Sequence, residues 1–162
     1  MTTLAGRRAW VIGASSGIGA ALARELFMRG CSVAISARRA SELEDVSGGR
    51  MHVVPLDMTD AQAVRDSAAI VGTELGDPDF VIVCAGFWRR MEANSFDLEV
   101  FRQHIEANVL GLANCIDAVL PDMLARGNGT IVGVASVAGY RGMRSEEHTS
   151  ELQSRLHLVC RL

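Results

Sequence analysis

Ile12-Gly13-Ala14-Ser15-Ser16-Gly17-Ile18-Gly19 lies between a short apolar run, residues 9–12, and a series of apolar residues, Ile18, Ala21, Leu22 and Leu26, that recurs at helical spacing until Gly30. The order is strand, tight turn, helix. Glycines at 13, 17 and 19 let the chain turn sharply and let main-chain N–H groups approach a pyrophosphate at the positive end of the helix. A G-x-x-x-G-x-G turn alone would also suit any glycine-rich strand-to-helix connection, so its meaning depends on the residues downstream of it.

The same alternation continues along the chain. Residues 32–37 read as a second strand, 41–46 as a short helix, and 51–56 as a third strand with His52 on one of its faces. Thr59 and Gln62 have the spacing of a capping box; the helix they open buries Ala61, Val64, Ala68, Val71 and Leu75 and stops at Gly76. Residues 79–84 form a fourth strand. A long helical pattern then runs over 97–125 through Phe101, Ile105, Leu112, Ile116, Val119 and Met123, until Gly127, Asn128 and Gly129 break it before a fifth strand at 130–134. Strands that are near-continuous apolar runs, separated by helices, imply a parallel sheet buried on both faces, a doubly wound α/β fold.

Composition narrows the function classes. The 162 residues are 49% hydrophobic and 22% charged with a net charge of −3, the balance of one globular domain. A weakly acidic chain offers no basic field for nucleic acid or anionic lipid, so a small molecule is the expected partner. The polar N-terminus and the lack of an apolar run near the roughly 20 residues that span a bilayer predict a cytoplasmic protein with no membrane partner. Cys31, Cys84, Cys115 and Cys160 have no C-x-x-C or Cys/His ligand spacing, so no metal site is expected. All 16 basic residues are Arg; there is no Lys in the chain.

The glycine spacing differs from G-x-G-x-x-G and resembles the short-chain dehydrogenase/reductase family, whose further motifs recur in order. Asp57, in Leu56-Asp57-Met58-Thr59, matches the residue that family uses at the adenine after its third strand. Cys84-Ala85-Gly86 matches the end of its Asn-Asn-Ala-Gly motif, with Val83 and Cys84 in place of both asparagines. Asn108, inside the long helix, falls where the family places a catalytic Asn, and Ser136, after the fifth strand, where it places its catalytic Ser. Each has a plainer reading alone, a solvent-facing helical Asn and a turn-forming Ser. As an ordered set they cover about the first 140 residues and imply a Rossmann-type sheet of strand order 3-2-1-4-5. They also imply a cofactor site of Gly13, Ser15, Ser16, Gly17, Ile18, Gly19, Asp57, Met58, Cys84, Ala85 and Gly86, and catalytic roles for Asn108 and Ser136.

An NAD enzyme of this architecture offers Asp or Glu to the ribose about 20 residues past the glycines. Here Ala37 stands there and Arg38-Arg39 follow. An Arg suits a 2'-phosphate, so NADP is expected over NAD, with Arg38 as its partner; the family resemblance implies a carbonyl or alcohol as the substrate. Phe87, Trp88 and Arg89-Arg90 follow the fourth strand and have two readings: they line the substrate side, or they pack on the long helix.

The family's mechanism also needs a Tyr roughly a dozen residues after the Ser, with a Lys four further on, so that both project from one helix face. Neither is present: the one Tyr is Tyr140, and His148, Thr149 and Ser150 occupy the expected neighbourhood. From Arg144 the residues Arg-Ser-Glu-Glu-His-Thr-Ser-Glu-Leu-Gln-Ser resemble a codon-by-codon translation of a widely used sequencing adapter. The expectation is therefore a truncated dinucleotide-binding domain over 1–143 and a non-native tail over 144–162. The later strands and helices would be missing, and the fifth strand would be an open edge. The parent is expected to be a homo-oligomeric oxidoreductase. A non-catalytic nucleotide sensor is a second reading, which would have no need of Asn108 or Ser136, and a fragment with no function is a third.

Overall fold

The structure, a computed structural model, describes residues 4–91, 93–136 and 159–161. Its strands are β1 (Arg8–Ile12), β2 (Ser32–Ser36), β3 (His52–Val53), β4 (Phe80–Val83), β5 (Thr130–Gly133) and β6 (Val159–Arg161). Its helices are α1 (Gly17–Met28), α2 (Ala40–Ser47), α3 (Ala61–Glu74), α4 (Leu98–Ile105) and α5 (Gly111–Arg126), with a 3₁₀ turn at Ala93–Ser95 and a π-helical segment at Glu106–Leu110 joining α4 to α5.

Alternation along β1 explains why its residues are all apolar after Arg8. Trp10 and Ile12 enter a cluster with Val64 and Val71 of α3 and Leu112, Cys115, Val119 and Met123 of α5. Ala9 and Val11 enter the opposite cluster with Ala20, Ala23 and Leu26 of α1 and Leu43 and Val46 of α2. A strand buried on both faces has no polar side, and each fully buried aliphatic side chain stabilises by about 1.5–3 kcal/mol over its exposed state. The polar exception is satisfied: the Trp10 indole N–H donates to Ser36 Oγ at 2.8 Å, both side chains being fully buried.

The strands run β3-β2-β1-β4-β5 and all these pairs are parallel, in the register Trp10↔Ala34 and Trp10↔Val81 at the centre. This is the doubly wound order expected from the sequence. β3 has two ladder residues rather than the expected six, although Val54 and Leu56 N–H still donate to Ile35 and Ala37 carbonyls. The expected open edge at β5 is corrected: β6 pairs with it antiparallel, Cys160 opposite Ile131. At the other end of β1, Asp79 accepts from Arg8 N–H and from Arg7 Nη1, both at 2.9 Å, and ties β1 to the start of β4.

Two helix details depart from the sequence reading. The N-cap of α3 is Asp60, whose side chain accepts from Gln62 and Ala63 N–H, whereas Thr59 donates its N–H and hydroxyl to Asp57 Oδ1. A carboxylate one residue nearer the helix outcompetes the hydroxyl for the free donors. The long helix bears a π-helical segment that contains Asn108, whose side chain bonds the Phe87 main chain. Leu98–Arg126 is also long and apolar enough by composition to cross a bilayer, contrary to the expectation that no stretch is. Its buried residues include Leu112, Cys115, Val119 and Met123, packed on the sheet.

Candidate functional site

The C-terminal ends of β1, β4 and β5 gather the sequence-derived site residues at one edge of the sheet. At β1 the chain turns through Gly13, whose φ of +88° disfavours any other residue and whose missing side chain makes room for the Ala85 backbone. Gly19 sits as tightly on the Gly13 carbonyl, which fixes the start of α1 against the turn. Gly17 is the opposite case: φ is +57° and no atom lies within 4 Å of where a Cβ would be. Ser16 makes no side-chain cap to α1, whereas α3 and α4 are capped by Asp60 and Asp97. A helix start without a side-chain acceptor, beside an open glycine, fits an anionic ligand such as a pyrophosphate. Ile18 lies beside it, 68% exposed.

Past β2, Arg38 is exposed and Arg39 folds back over the glycine turn. The Arg39 Nη2 donates to Ser15 Oγ at 3.3 Å and pairs with Glu42 at 2.7 Å. The sequence reading named the pair Arg38-Arg39 and assigned the 2'-phosphate to Arg38. After β3, Asp57 is exposed at the rim with its turn held by Thr59, while the Met58 side chain is buried against Gly111 of α5. The Met58 carbonyl accepts from Asn114 Nδ2 at 3.1 Å. Asn114 was missed; nothing in its local pattern marks it.

At the end of β4, Cys84 and Ala85 N–H both donate to the Ile12 carbonyl, at 2.7 and 3.1 Å, so this loop is fastened to the glycine turn. Burial raises the Cys84 thiol above its ordinary pKa, which disfavours its thiolate form. Asn108 makes a two-point clamp on Phe87: the Phe87 N–H donates to its Oδ1 and its Nδ2 donates to the Phe87 carbonyl, each at 2.8 Å. One turn earlier His104, 4% exposed, accepts from Arg89 N–H at 3.1 Å. The residues 84–88 face Asn108 and Ser136 across a cleft of about 210 Å³. Phe87 lines this cleft and packs edge-on to the His104 ring of the long helix at 5.0 Å. Trp88, half exposed, lines it too. Tyr140 and His148 lie outside the described residues.

A glycine turn at a parallel-sheet edge, an internal Asn and a Ser after the fifth strand are thus on one face. The family described as short chain dehydrogenase matches residues 7–148. The chain belongs to that family.

Among relatives of this short-chain dehydrogenase chain, an uncharacterized oxidoreductase of Staphylococcus haemolyticus is 34% identical over 85% of this chain and 62% of its own length. Another uncharacterized oxidoreductase, from Myxococcus xanthus, is 37% identical over 88% and 59%. Dehydrogenase/reductase SDR family member 7 of Mus musculus is 39% identical over 80% and 41%. The chain therefore spans less than two thirds of the length of these relatives. Among solved structures, an actinorhodin polyketide ketoreductase with NADPH superimposes with a TM-score of 0.85 at 27% identity, covering 94% of this chain and 62% of that one. A short chain dehydrogenase/reductase family protein superimposes at 0.84 with 28% identity, covering 94% and 64%.

Proposed function

We propose that this short-chain dehydrogenase belongs to an NADP-dependent oxidoreductase that transfers hydride between NADPH and a carbonyl or alcohol substrate. The observation that carries the reading is the start of α1 without a side-chain cap, with Gly17 open beside it, at the same sheet edge as the cleft holding Asn108 and Ser136. NADPH, when bound, supplies the hydride. The chain's own residues divide the remaining work.

Main-chain N–H groups from Ser15 to Gly19 hold the pyrophosphate, with Gly13 and Gly19 packed to let the turn approach it. Arg38 and Arg39 hold the 2'-phosphate, each charge-assisted bond contributing roughly 1.5–3 kcal/mol. Asp57 and the Met58 main chain meet the adenine, and the main chain of Cys84, Ala85 and Gly86 borders the nicotinamide side. The ketoreductase named with NADPH supports this cofactor by likeness.

Ser136 donates its hydroxyl to the substrate oxygen. Both polar ends of the Asn108 side chain are already engaged by Phe87, so Asn108 serves a relay water through its main-chain carbonyl. The proton comes from a Tyr whose pKa, about 10 when free, is lowered by a nearby Lys cation. The chain has no Lys. We therefore place the Tyr-x-x-x-Lys in the parent protein and assign no turnover to these 162 residues alone. The parent is proposed to be cytoplasmic and homo-oligomeric.

NADPH oxidation measured with a panel of ketones and aldehydes tests the assignment. The parent should turn over, and Ser136→Ala should lower its kcat by about 100-fold or more. Turnover by the present chain that is lost in Ser136→Ala would overturn the role given to the Tyr and Lys.

A further inference from the structure

The long helix touches the loop after β4 at two points one turn apart, and only Asn108 is accounted for by the proposed function. The second is His104. Its Nδ1 lies 2.8 Å from the Val100 carbonyl of its own helix, which can only accept. Nδ1 must then carry the hydrogen, and the Nε2 lone pair is left to accept from Arg89 N–H at 3.1 Å. The ring is 4% exposed and meets the Phe87 ring edge-to-face at 5.0 Å with an interplanar angle of 68°. One buried imidazole thus orients both the aromatic side chain and the main chain of residues 87–89.

We propose that His104 is a positioning residue that fixes the 87–90 wall of the cleft. Trp88 stands on this wall between the two anchored residues, half exposed and facing the same space as Ser136. With Asn108 holding Phe87 and His104 holding Arg89, the direction in which Trp88 projects is set from both sides. An aliphatic residue at 104 could fill the volume but would leave the Arg89 N–H without an acceptor over apolar surface, and the wall would swing away to reach water. The purpose of the wall rests on the proposed oxidoreductase reading; the fastening itself does not.

Backbone amide exchange resolved by NMR in the 162-residue chain tests it, for the unmutated chain, His104→Phe and His104→Gln, each with and without NADPH. His104→Phe keeps an aromatic ring at this position and removes the acceptor, so the Arg89 amide should exchange about tenfold faster while β1 and β4 amides stay unchanged. His104→Gln restores an acceptor oxygen and should return most of the protection. NADPH should slow exchange over 84–89 more in the unmutated chain than in His104→Phe. The ¹⁵N spectrum of the unmutated ring provides a measurement independent of any variant: it should show hydrogen on Nδ1 and a bare Nε2. Unchanged Arg89 exchange in His104→Phe, no rescue by Gln, or a hydrogen on Nε2 would overturn the proposal. An absence of any NADPH effect in all three chains would count against the oxidoreductase reading and leave the Arg89 exchange rates to decide the role of His104.

Discussion

Gly13 carries two constraints at once, a left-handed backbone at φ +88° and a contact with the Ala85 backbone that leaves no room for a methyl group. Gly13→Ala should therefore destabilise by about 2–4 kcal/mol, from backbone strain and overpacking together, as read from a urea melt. Gly17→Ala should cost less stability, about 1–2 kcal/mol, because only the backbone term applies there. The glycines were legible because spacing alone reports them. Ser15, Asp57 and Asn108 were legible as a motif set. The contacts of Arg39 and His104 were not, because their partners, Ser15 and the Arg89 main chain, are 24 and 15 residues away and no local pattern encodes either contact.

At the scale of elements, apolar periodicity located the helical spans and, to within a residue at each end, four of the five parallel strands, β3 being the exception, since a helix face and a buried strand each leave a repeat in the sequence. What periodicity does not report is which polar residue wins a cap. Asp60 and Thr59 are adjacent, and the choice between them rests on geometry: Asp60 Oδ1 lies 2.9 and 3.0 Å from two helix N–H groups, while Thr59 turns to Asp57. Asp60→Ala should lower stability by about 1 kcal/mol and Thr59→Ala by only a few tenths, measured by thermal or chemical melts of each variant. The π-helical segment at Glu106–Leu110 was equally hidden, because an inserted residue breaks the phase of the hydrophobic stripe without changing its composition.

Across the whole molecule, two apolar clusters share one sheet, and the seam at the N-terminal ends of β1 and β4 is held by Asp79. Burial alone would raise the pKa of this carboxyl, but hydrogen bonds from Arg8 N–H and Arg7, with the charges of both arginines, hold it below its usual value. A depressed carboxylate stabilises fully above its unfolded pKa, about 3.9, and that contribution is lost as pH falls through the folded value. Stability measured between about pH 7 and 2 should therefore drop at the acid end, and Asp79→Asn should flatten part of that drop. The same variant should lose about 1 kcal/mol near neutral pH, where the charged acceptor is replaced by a weaker one.

The parallel sheet and its order were readable from strand and helix alternation plus the family resemblance. The pairing of β6 with β5 was not, since no pattern around Val159 marks it. The central claim is that the glycine turn, the arginines after β2 and the cleft beside Ser136 form a site for NADPH. Its most direct test is equilibrium titration of the chain with NADPH and NADH at one salt concentration, repeated with Arg38→Ala/Arg39→Ala. The account predicts binding of NADPH at least about tenfold tighter than NADH, with the difference abolished in the double variant. Equal affinity for the two cofactors, or an unchanged preference after both arginines are removed, would contradict it.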